Sequence, residues 1–395
     1  MMALGRLPGL RIDRTGVALL GAIVLYLGGV VDGPAAHDAI DYPTLIVLFG
    51  LMLLSAQYAA CGFYGWCSAK IARTPVSPER LLGLTILVAG GLSAVLANDV
   101  VVFAMTPLLC TGLLRRGLDP RPFVIALASG ANAGSAATLI GNPQNILIGQ
   151  AGGLDFWRFA AVCGPPALVS MAIAYGVIAL QWRKGWNLPG EHPPVTHAMP
   201  AIDRAGLRKA IIYTVLLIVM FTAPLPHVEG VLLVASGLLV SRTLATRRML
   251  GLVDWHLLVL FAGLFIVTAA LGKTGLPAEA LQALSARGFD PAHLSFLTPL
   301  TVLGSNTIGN VPLTVLILAV LPDATPHTLY ALALISTLAG NLLLTGSLAN
   351  IIAVERAHEV GVEVGFGLHA KAGIPLTLLS LAAAVGWLIW MPPLG

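Results

Sequence analysis

Asparagine, glycine and hydroxyl residues recur in four short stretches, each of which interrupts a long apolar segment. They are LAND at 96–99, GNPQN at 141–145, GSNTIGN at 304–310 and TGSLAN at 345–350. None of the four contains Lys, Arg or His, so a bound solute would be held by amides, hydroxyls and the partial charges of helix ends. Such groups suit a small oxyanion or a neutral polar solute, whereas exposed carbonyls and helix C-termini suit Na⁺.

Asp99 is the one acidic residue that the apolar pattern places inside the membrane. A charged Asp at the bilayer centre costs about 2.5–3.5 kcal/mol on insertion scales, so it should pair with another group or bind a proton or cation. The alternative is a structural Asp paired with an interrupted helix across the bundle. The matching position in the second half of the chain holds Val311. At most one carboxylate-based coupling site is therefore predicted.

The overall composition requires a membrane. Of the 395 residues, 57% are apolar and 10% are charged, and the mean hydropathy is +0.88. A soluble chain carries about 25% charged residues. Soluble enzymes, nucleic-acid binders and disordered proteins are excluded on this ground. The pattern predicts an all-α polytopic membrane protein with apolar segments at 17–31, 43–64, 81–114, 122–150, 156–181, 209–224, 228–241, 253–272, 291–321, 327–354 and 369–391.

The basic residues predict the orientation, because cytoplasmic loops carry an excess of Lys and Arg. With a cytoplasmic N-terminus, all of the 22 basic residues except Arg158, Lys273 and Arg287 fall on the cytoplasmic side. This count requires 81–114 and 291–321 to be re-entrant hairpins. Both are short for two full crossings, which need about 40 residues.

The two halves of the sequence resemble each other, which predicts an inverted-topology repeat with two re-entrant hairpins and two broken transmembrane helices. The first repeat would cover 1–181, with its hairpin at 81–114 and its broken helix at 122–150. The second would cover 228–395, with its hairpin at 291–321 and its broken helix at 327–354. Residues 182–227 would form a cytoplasmic loop and a linking helix.

Four strings in this sequence, ANDVVVFAMTPLL, GNPQNILIG, NVPLTVLIL and GSLANIIAVERA, resemble the arsenite permease and citrate transporter branches of the ion-transporter superfamily, which is related to the divalent anion transporters. The resemblance implies a central site between the two halves, coupling to Na⁺ or H⁺, and no other cofactor. One difference is that sodium–dicarboxylate relatives have Ser-Asn-Thr in both hairpins, whereas the first hairpin here has Ala97-Asn98-Asp99. This favours the arsenite permease-like branch.

By motif, the resemblance implies that the substrate contacts residues of both halves, namely Asn98, Asn142, Asn145, Ser305, Asn306, Thr307, Asn310, Ser347 and Asn350. The coupling ion would be bound around Asp99, Gly141 and Gly346. If that ion is Na⁺, it would lie at Asn98 and Asp99.

These features predict a secondary active transporter, not an enzyme, in the bacterial cytoplasmic (inner) membrane. It would move a small anion, either an arsenite-like oxyanion or a di- or tricarboxylate, coupled to H⁺ or Na⁺. The alternative is a Na⁺/H⁺ antiporter of the same architecture that uses Asp99. The expected partners are the small anionic solute and the lipid bilayer, with no nucleic acid, and a homodimer is compatible with this assignment. An intramembrane protease is disfavoured, because all nine histidines fall in loops or near segment ends and an aspartyl type needs two intramembrane acids.

Overall fold

The computed structural model describes residues 12–188, 200–222, 227–241 and 244–391, and in these ranges the chain forms helices and no strand. The first nine helices are α1 (Arg14–Leu27), α2 (Gly33–Ala39), α3 (Tyr42–Ala60), α4 (Phe63–Arg73), α5 (Pro78–Ser93), α6 (Asn98–Leu114), α7 (Arg121–Ser135), α8 (Pro143–Gly152) and α9 (Phe156–Trp182). A tenth helix, α10 (Arg204–Thr222), follows the long polar stretch.

The second half has nine further helices and one short 3-10 turn at Leu344–Gly346. The helices are α11 (His227–Leu239), α12 (Thr246–Leu250), α13 (Trp255–Lys273), α14 (Leu276–Ala286), α15 (Leu294–Thr307), α16 (Asn310–Val320), α17 (Pro326–Ala339), α18 (Leu348–His358) and α19 (Phe366–Trp390).

Five helices, α3, α9, α10, α13 and α19, are long and apolar enough to cross a membrane. Their starts are fixed locally where a polar side chain caps the free N–H groups of the first turn. Asp41 accepts from the Thr44 N–H at 3.2 Å before α3, and Asp155 accepts from the Arg158 N–H at 2.7 Å before α9. The prediction of a polytopic all-helical membrane protein is confirmed in this respect.

A helix ends and another begins at each of the four predicted interruptions. Segment 81–114 contains α5 and α6, and segment 291–321 contains α15 and α16. Segment 122–150 contains α7 and α8, and segment 327–354 contains α17 and α18. Gly, Pro or Asn lies in or beside each of these interruptions, and these residues weaken or cannot continue the helical hydrogen-bond ladder.

Two local features differ from the sequence prediction. The polar residues after 17–31 contain a short helix, α2, which begins behind the cap of Asp32. The basic stretch after 43–64 contains α4, which follows Gly62 in a left-handed conformation (φ 79°). Both helices are short, and neither has a long apolar run that would have revealed it.

Helices numbered ten apart make equivalent contacts. Helix α5 packs on α7 as α15 packs on α17, and α7 packs on α9 as α17 packs on α19. Between the halves the contacts are exchanged, since α1 packs on α13 while α11 packs on α3, and α6 packs on α18 while α16 packs on α8. Helix α10 stands between the two sets of nine.

Candidate functional site

Asn132 on α7 lies at the point where the interruptions of the two halves meet. Its Nδ2 donates to Asn341 Oδ1 at 2.8 Å and to Asn350 Oδ1 at 3.1 Å. Its Oδ1 accepts from Ser347 Oγ at 3.0 Å and from Asn98 Nδ2 at a longer 3.4 Å. All five residues are buried. One carboxamide thus joins the start of α6 to both sides of the interruption between α17 and α18.

The interruption of the first half, between α7 and α8, contacts α17 of the second half in the equivalent way. Asn142 caps α8 by accepting from the Asn145 N–H at 2.9 Å, and its Nδ2 donates to Thr337 Oγ1 on α17 at 3.1 Å. Gln144 Nε2 donates to the same hydroxyl at 3.2 Å. Thr337 therefore has the role in the second half that Asn132 has in the first.

Asn145 and Asn350 hold the two interruptions closed in the same way. Asn145 Nδ2 donates to the carbonyls of Ser135 and Thr138 at 3.1 and 2.9 Å. Asn350 Nδ2 donates to the carbonyls of Gly340 and Leu343 at 2.8 and 3.2 Å. Each residue of the second half stands 205 positions after its counterpart in the first half: Asn350 after Asn145, Gly340 after Ser135, and Leu343 after Thr138.

Gly141 and Gly346 lie where the chain passes too close to other atoms for a side chain. A Cβ at Gly141 would overlap the backbone carbonyl of Ser135 at the end of α7. A Cβ at Gly346 would meet Asn306 Oδ1 and, at 2.9 Å, the carbonyl oxygen of Gly340. Both predicted coupling-site glycines are thus required by packing, and this requirement holds whether or not an ion binds there.

Asp99 lies apart from this network, one residue after Asn98. It lines a cavity. Helix α3 supplies Leu48, Leu51 and Met52 to the wall, and the start of α8 supplies Asn142 and Pro143. The second acidic residue of the lining is Asp254, the cap of α13, which accepts from the Leu257 N–H at 3.0 Å. The described lining contains two carboxylates and no basic side chain.

The family model described as "Citrate transporter" matches residues 1–329. The chain belongs to this family. Its members and relatives are membrane transporters, not enzymes, and the chain is accordingly a multi-pass membrane transporter. The expected resemblance to citrate transporters and arsenite permeases is confirmed.

Relatives similar to the chain along most of its length include two proteins named as transporters and one named as an inner membrane protein. An uncharacterized transporter of Mycobacterium tuberculosis is 30% identical, with 96% of this chain and 94% of the relative covered. The inner membrane protein YbiR of Escherichia coli is 33% identical, with 89% and 88% covered. The silicon efflux transporter LSI3 of Oryza sativa subsp. japonica is 27% identical, with 96% and 93% covered.

A solved structure with a similar fold is that of the YdaH transporter of Alcanivorax borkumensis. The TM-score is 0.55 over 96% of this chain and 89% of that chain, at 15% sequence identity. At this level of identity the similarity concerns the fold alone.

Four predicted substrate residues of the transporter lie on α15 and α16, away from Asn132. Asn306 Nδ2 donates to the carbonyls of Val302 and Ala339 at 2.9 and 3.0 Å, and its Oδ1 accepts from the Leu343 N–H at 3.2 Å. Asn306 therefore ties the end of α15 to the second interruption. Ser305 Oγ and Asn310 Oδ1 are buried without a hydrogen-bond partner among the described residues.

Among the predicted substrate residues, Thr307 has the position least suited to binding a solute at the Asn132 network. Its side chain is exposed, and Oγ1 donates to the carbonyls of Leu303 and Gly304 on its own helix at 2.8 and 3.1 Å. Its hydroxyl therefore satisfies α15 itself and joins neither the Asn132 network nor the contacts of Asn306.

Sequence reasoning missed Asn132, Thr337, Asn341 and Asp254. The internal similarity could have revealed Thr337, because it stands at the same 205-residue offset from Asn132 as Asn350 does from Asn145. No local signal marks Asn341, whose contact with Asn132 spans 209 residues of sequence.

Proposed function

We propose that the chain is a secondary active transporter that moves a small oxyanion across the bacterial cytoplasmic membrane, coupled to H⁺ or Na⁺ at Asp99. The N-terminus would be cytoplasmic, and 81–114 and 291–321 would be re-entrant hairpins of an inverted-topology repeat. The observation that carries the proposal is the reciprocal contact between the two interrupted helices.

Reciprocity supports a two-fold relationship between the halves. Across a two-fold axis, if residue i contacts residue j, then the counterpart of i contacts the counterpart of j. Asn132 contacts Ser347, and the residues related to them by the 205-residue offset, Thr337 and Asn142, also contact each other. Interrupted helices that meet at such an axis form the midplane site of many transporters that work by alternating access.

The polar groups support an oxygen-rich solute. Amides and hydroxyls from both halves surround Asn132, and the four interruptions contain no basic side chain. Irregular backbone survives at membrane depth only where protein or a cavity covers it. Among the relatives, one is named a silicon efflux transporter and another a putative transporter arsB. The name of the silicon efflux transporter favours an oxyacid, whereas the family description, "Citrate transporter", gives a tricarboxylate as the alternative substrate.

Asp99 supports coupling to a cation. It lines a cavity between α3 and α13 on one side and α6 and α8 on the other. A carboxylate in an apolar wall is costly unless it binds a proton or a cation. Asp99 directly follows Asn98, which contacts Asn132, so loading of the cation and binding of the solute would affect each other.

The cavity also favours one alternative, which is cation exchange without a solute. Two carboxylates, Asp99 and Asp254, share the cavity, and such a lining attracts cations and disfavours anions. A Na⁺/H⁺ antiporter using Asp99 would need nothing from the amides around Asn132.

The test is to reconstitute the protein in proteoliposomes and to record currents after rapid jumps of arsenite, silicate, sulfate, succinate or citrate, each with and without Na⁺ and across a range of pH. A saturable current for one solute, lost in Asp99→Asn, is the expected result. Currents that follow Na⁺ or pH alone, indifferent to every solute, would favour the antiporter.

A further inference from the structure

The orientations of the amides around Asn132 are fixed by backbone groups. Asn350 Nδ2 donates to the carbonyls of Gly340 and Leu343. Because carbonyl oxygens only accept, the amide of Asn350 cannot be reversed, and its Oδ1 must face Asn132. Asn132 must therefore present its Nδ2 to Asn350, and the same NH₂ group donates to Asn341 Oδ1.

The opposite end of the Asn132 amide is then an acceptor. Its Oδ1 accepts from Ser347 Oγ and from Asn98 Nδ2. A carboxamide offers two donor hydrogens and two acceptor positions, so the capacity of Asn132 is fully used. No part of its amide is left to bind a solute directly.

Asn98 and Asn341 each keep one polar atom free. Asn98 Oδ1 and Asn341 Nδ2 have no hydrogen-bond partner within the described ranges. The two residues are only 6% and 1% exposed. Both lie against the same carboxamide, Asn98 at its oxygen and Asn341 at its nitrogen, so a free acceptor and a free donor lie on either side of Asn132 between the halves.

We propose that Asn132 is a positioning residue of the transport site, which presents the Asn98 carbonyl oxygen and the Asn341 amide nitrogen to the hydroxyl groups of the solute. A hydroxyl donates one hydrogen bond and accepts others, so hydroxyl groups satisfy both the free acceptor and the free donor. An ionised oxygen could accept from Asn341 but could not donate to Asn98. This inference rests on the proposed transport function and names the group of the solute that the site recognises.

Asn132 also connects the halves, since it is on α7 and three of its partners lie on either side of the interruption between α17 and α18. Many buried amides in membrane helices hold helices together. That role alone would change the stability of the protein and its maximal rate of transport. The positioning role instead predicts a change in the apparent affinity for the solute.

The test compares Asn132→Asp with wild type and with Ser336→Ala. The first variant keeps the shape of the side chain and replaces the donor by a carboxyl oxygen. The control removes a buried hydroxyl that bonds only to its own helix, at the Ala333 carbonyl. For the solute that gives a current in wild-type proteoliposomes, KM and the maximal rate are measured from pH 5 to 8 and expressed as ratios to wild type at each pH.

We expect the KM ratio of Asn132→Asp to be at least about tenfold at pH 8 and to fall towards one at acidic pH, as the introduced carboxyl takes up a proton and regains one donor. The maximal rate should stay within about twofold, and Ser336→Ala should resemble wild type throughout. A KM ratio near one at every pH, or a loss confined to the maximal rate, would overturn the role of Asn132 alone. Absence of solute flux in wild-type protein would overturn the proposed function together with this inference.

Discussion

Replacing Asn145 or Asn350 by Leu should destabilise the protein strongly, because each side chain satisfies two buried backbone carbonyls. Leu has the same number and branching of side-chain heavy atoms and donates nothing. A buried acceptor left without a partner costs about 1–3 kcal/mol. The two carbonyls at each interruption therefore give an expected cost of about 2–6 kcal/mol for each variant.

The two variants should differ in a defined direction. Asn145 Oδ1 has no partner among the described residues, so its removal costs nothing further. Asn350 Oδ1 accepts from Asn132 Nδ2 at 3.1 Å. Asn350→Leu should therefore cost about 1–3 kcal/mol more than Asn145→Leu, because it leaves one buried N–H of Asn132 without a partner.

The assay is equilibrium unfolding in mixed detergent micelles, followed by the fluorescence of the seven tryptophans. The matched control is Thr85→Val, since Thr85 is fully buried and its Oγ1 bonds to the Leu81 carbonyl of its own helix at 2.9 Å. The control should lose less than about 1 kcal/mol, because that carbonyl stays within the helical ladder. If Asn145→Leu were as stable as Thr85→Val, the claim that these side chains close the interruptions would be wrong.

Three further predictions follow from single contacts. Gly141→Ala should greatly reduce the yield of folded protein, measured by size-exclusion chromatography, because the new Cβ overlaps a backbone carbonyl. Gly164→Ala should give a normal yield, because Gly164 has open space around it. In the same unfolding assay, Asp254→Ala should lower the free energy of unfolding by about 1 kcal/mol through the missing helix cap, whereas Asp254→Asn should leave it unchanged, because Asn caps as well as Asp. Equal losses in the two variants would contradict the capping role. Single cysteines at Arg115 and Asp323 should react with an impermeant reagent from opposite sides of the membrane, and labelling from one side would refute the inverted hairpins.

The interrupted helices could be predicted from the sequence because Gly, Pro and Asn stand in the middle of apolar runs. A soluble loop would show a polar stretch there, whereas 141–145 and 345–350 are short and lie between apolar residues. The internal similarity then identified Asn145 and Asn350 as equivalent positions. Their equivalent hydrogen bonds follow from this equivalence, because in each half the asparagine side chain donates to two backbone carbonyls at the interruption.

Asn132 and Asp254 could not be recognised in this way, for two different physical reasons. Asn132 lies within a helix rich in small residues, where a buried amide is typical of ordinary helix contacts. Its decisive partners are 209 and 218 residues away. Asp254 stands at the start of a helix, where an Asp is expected as a cap, and only the packing of α13 on α3 brings it to the cavity of Asp99.

The central claim is that solute and cation movements are coupled, and uphill transport tests it most directly. Proteoliposomes are loaded with the solute that gives a current and diluted into solute-free buffer, with H⁺ and Na⁺ initially equal on both sides. The account predicts that the solute gradient alone drives H⁺ or Na⁺ against its own developing gradient, and that Asp99→Asn abolishes this movement. If solute and cation each moved only down their own gradients, in wild type as in the variant, the protein would be a passive pathway and the account would be wrong.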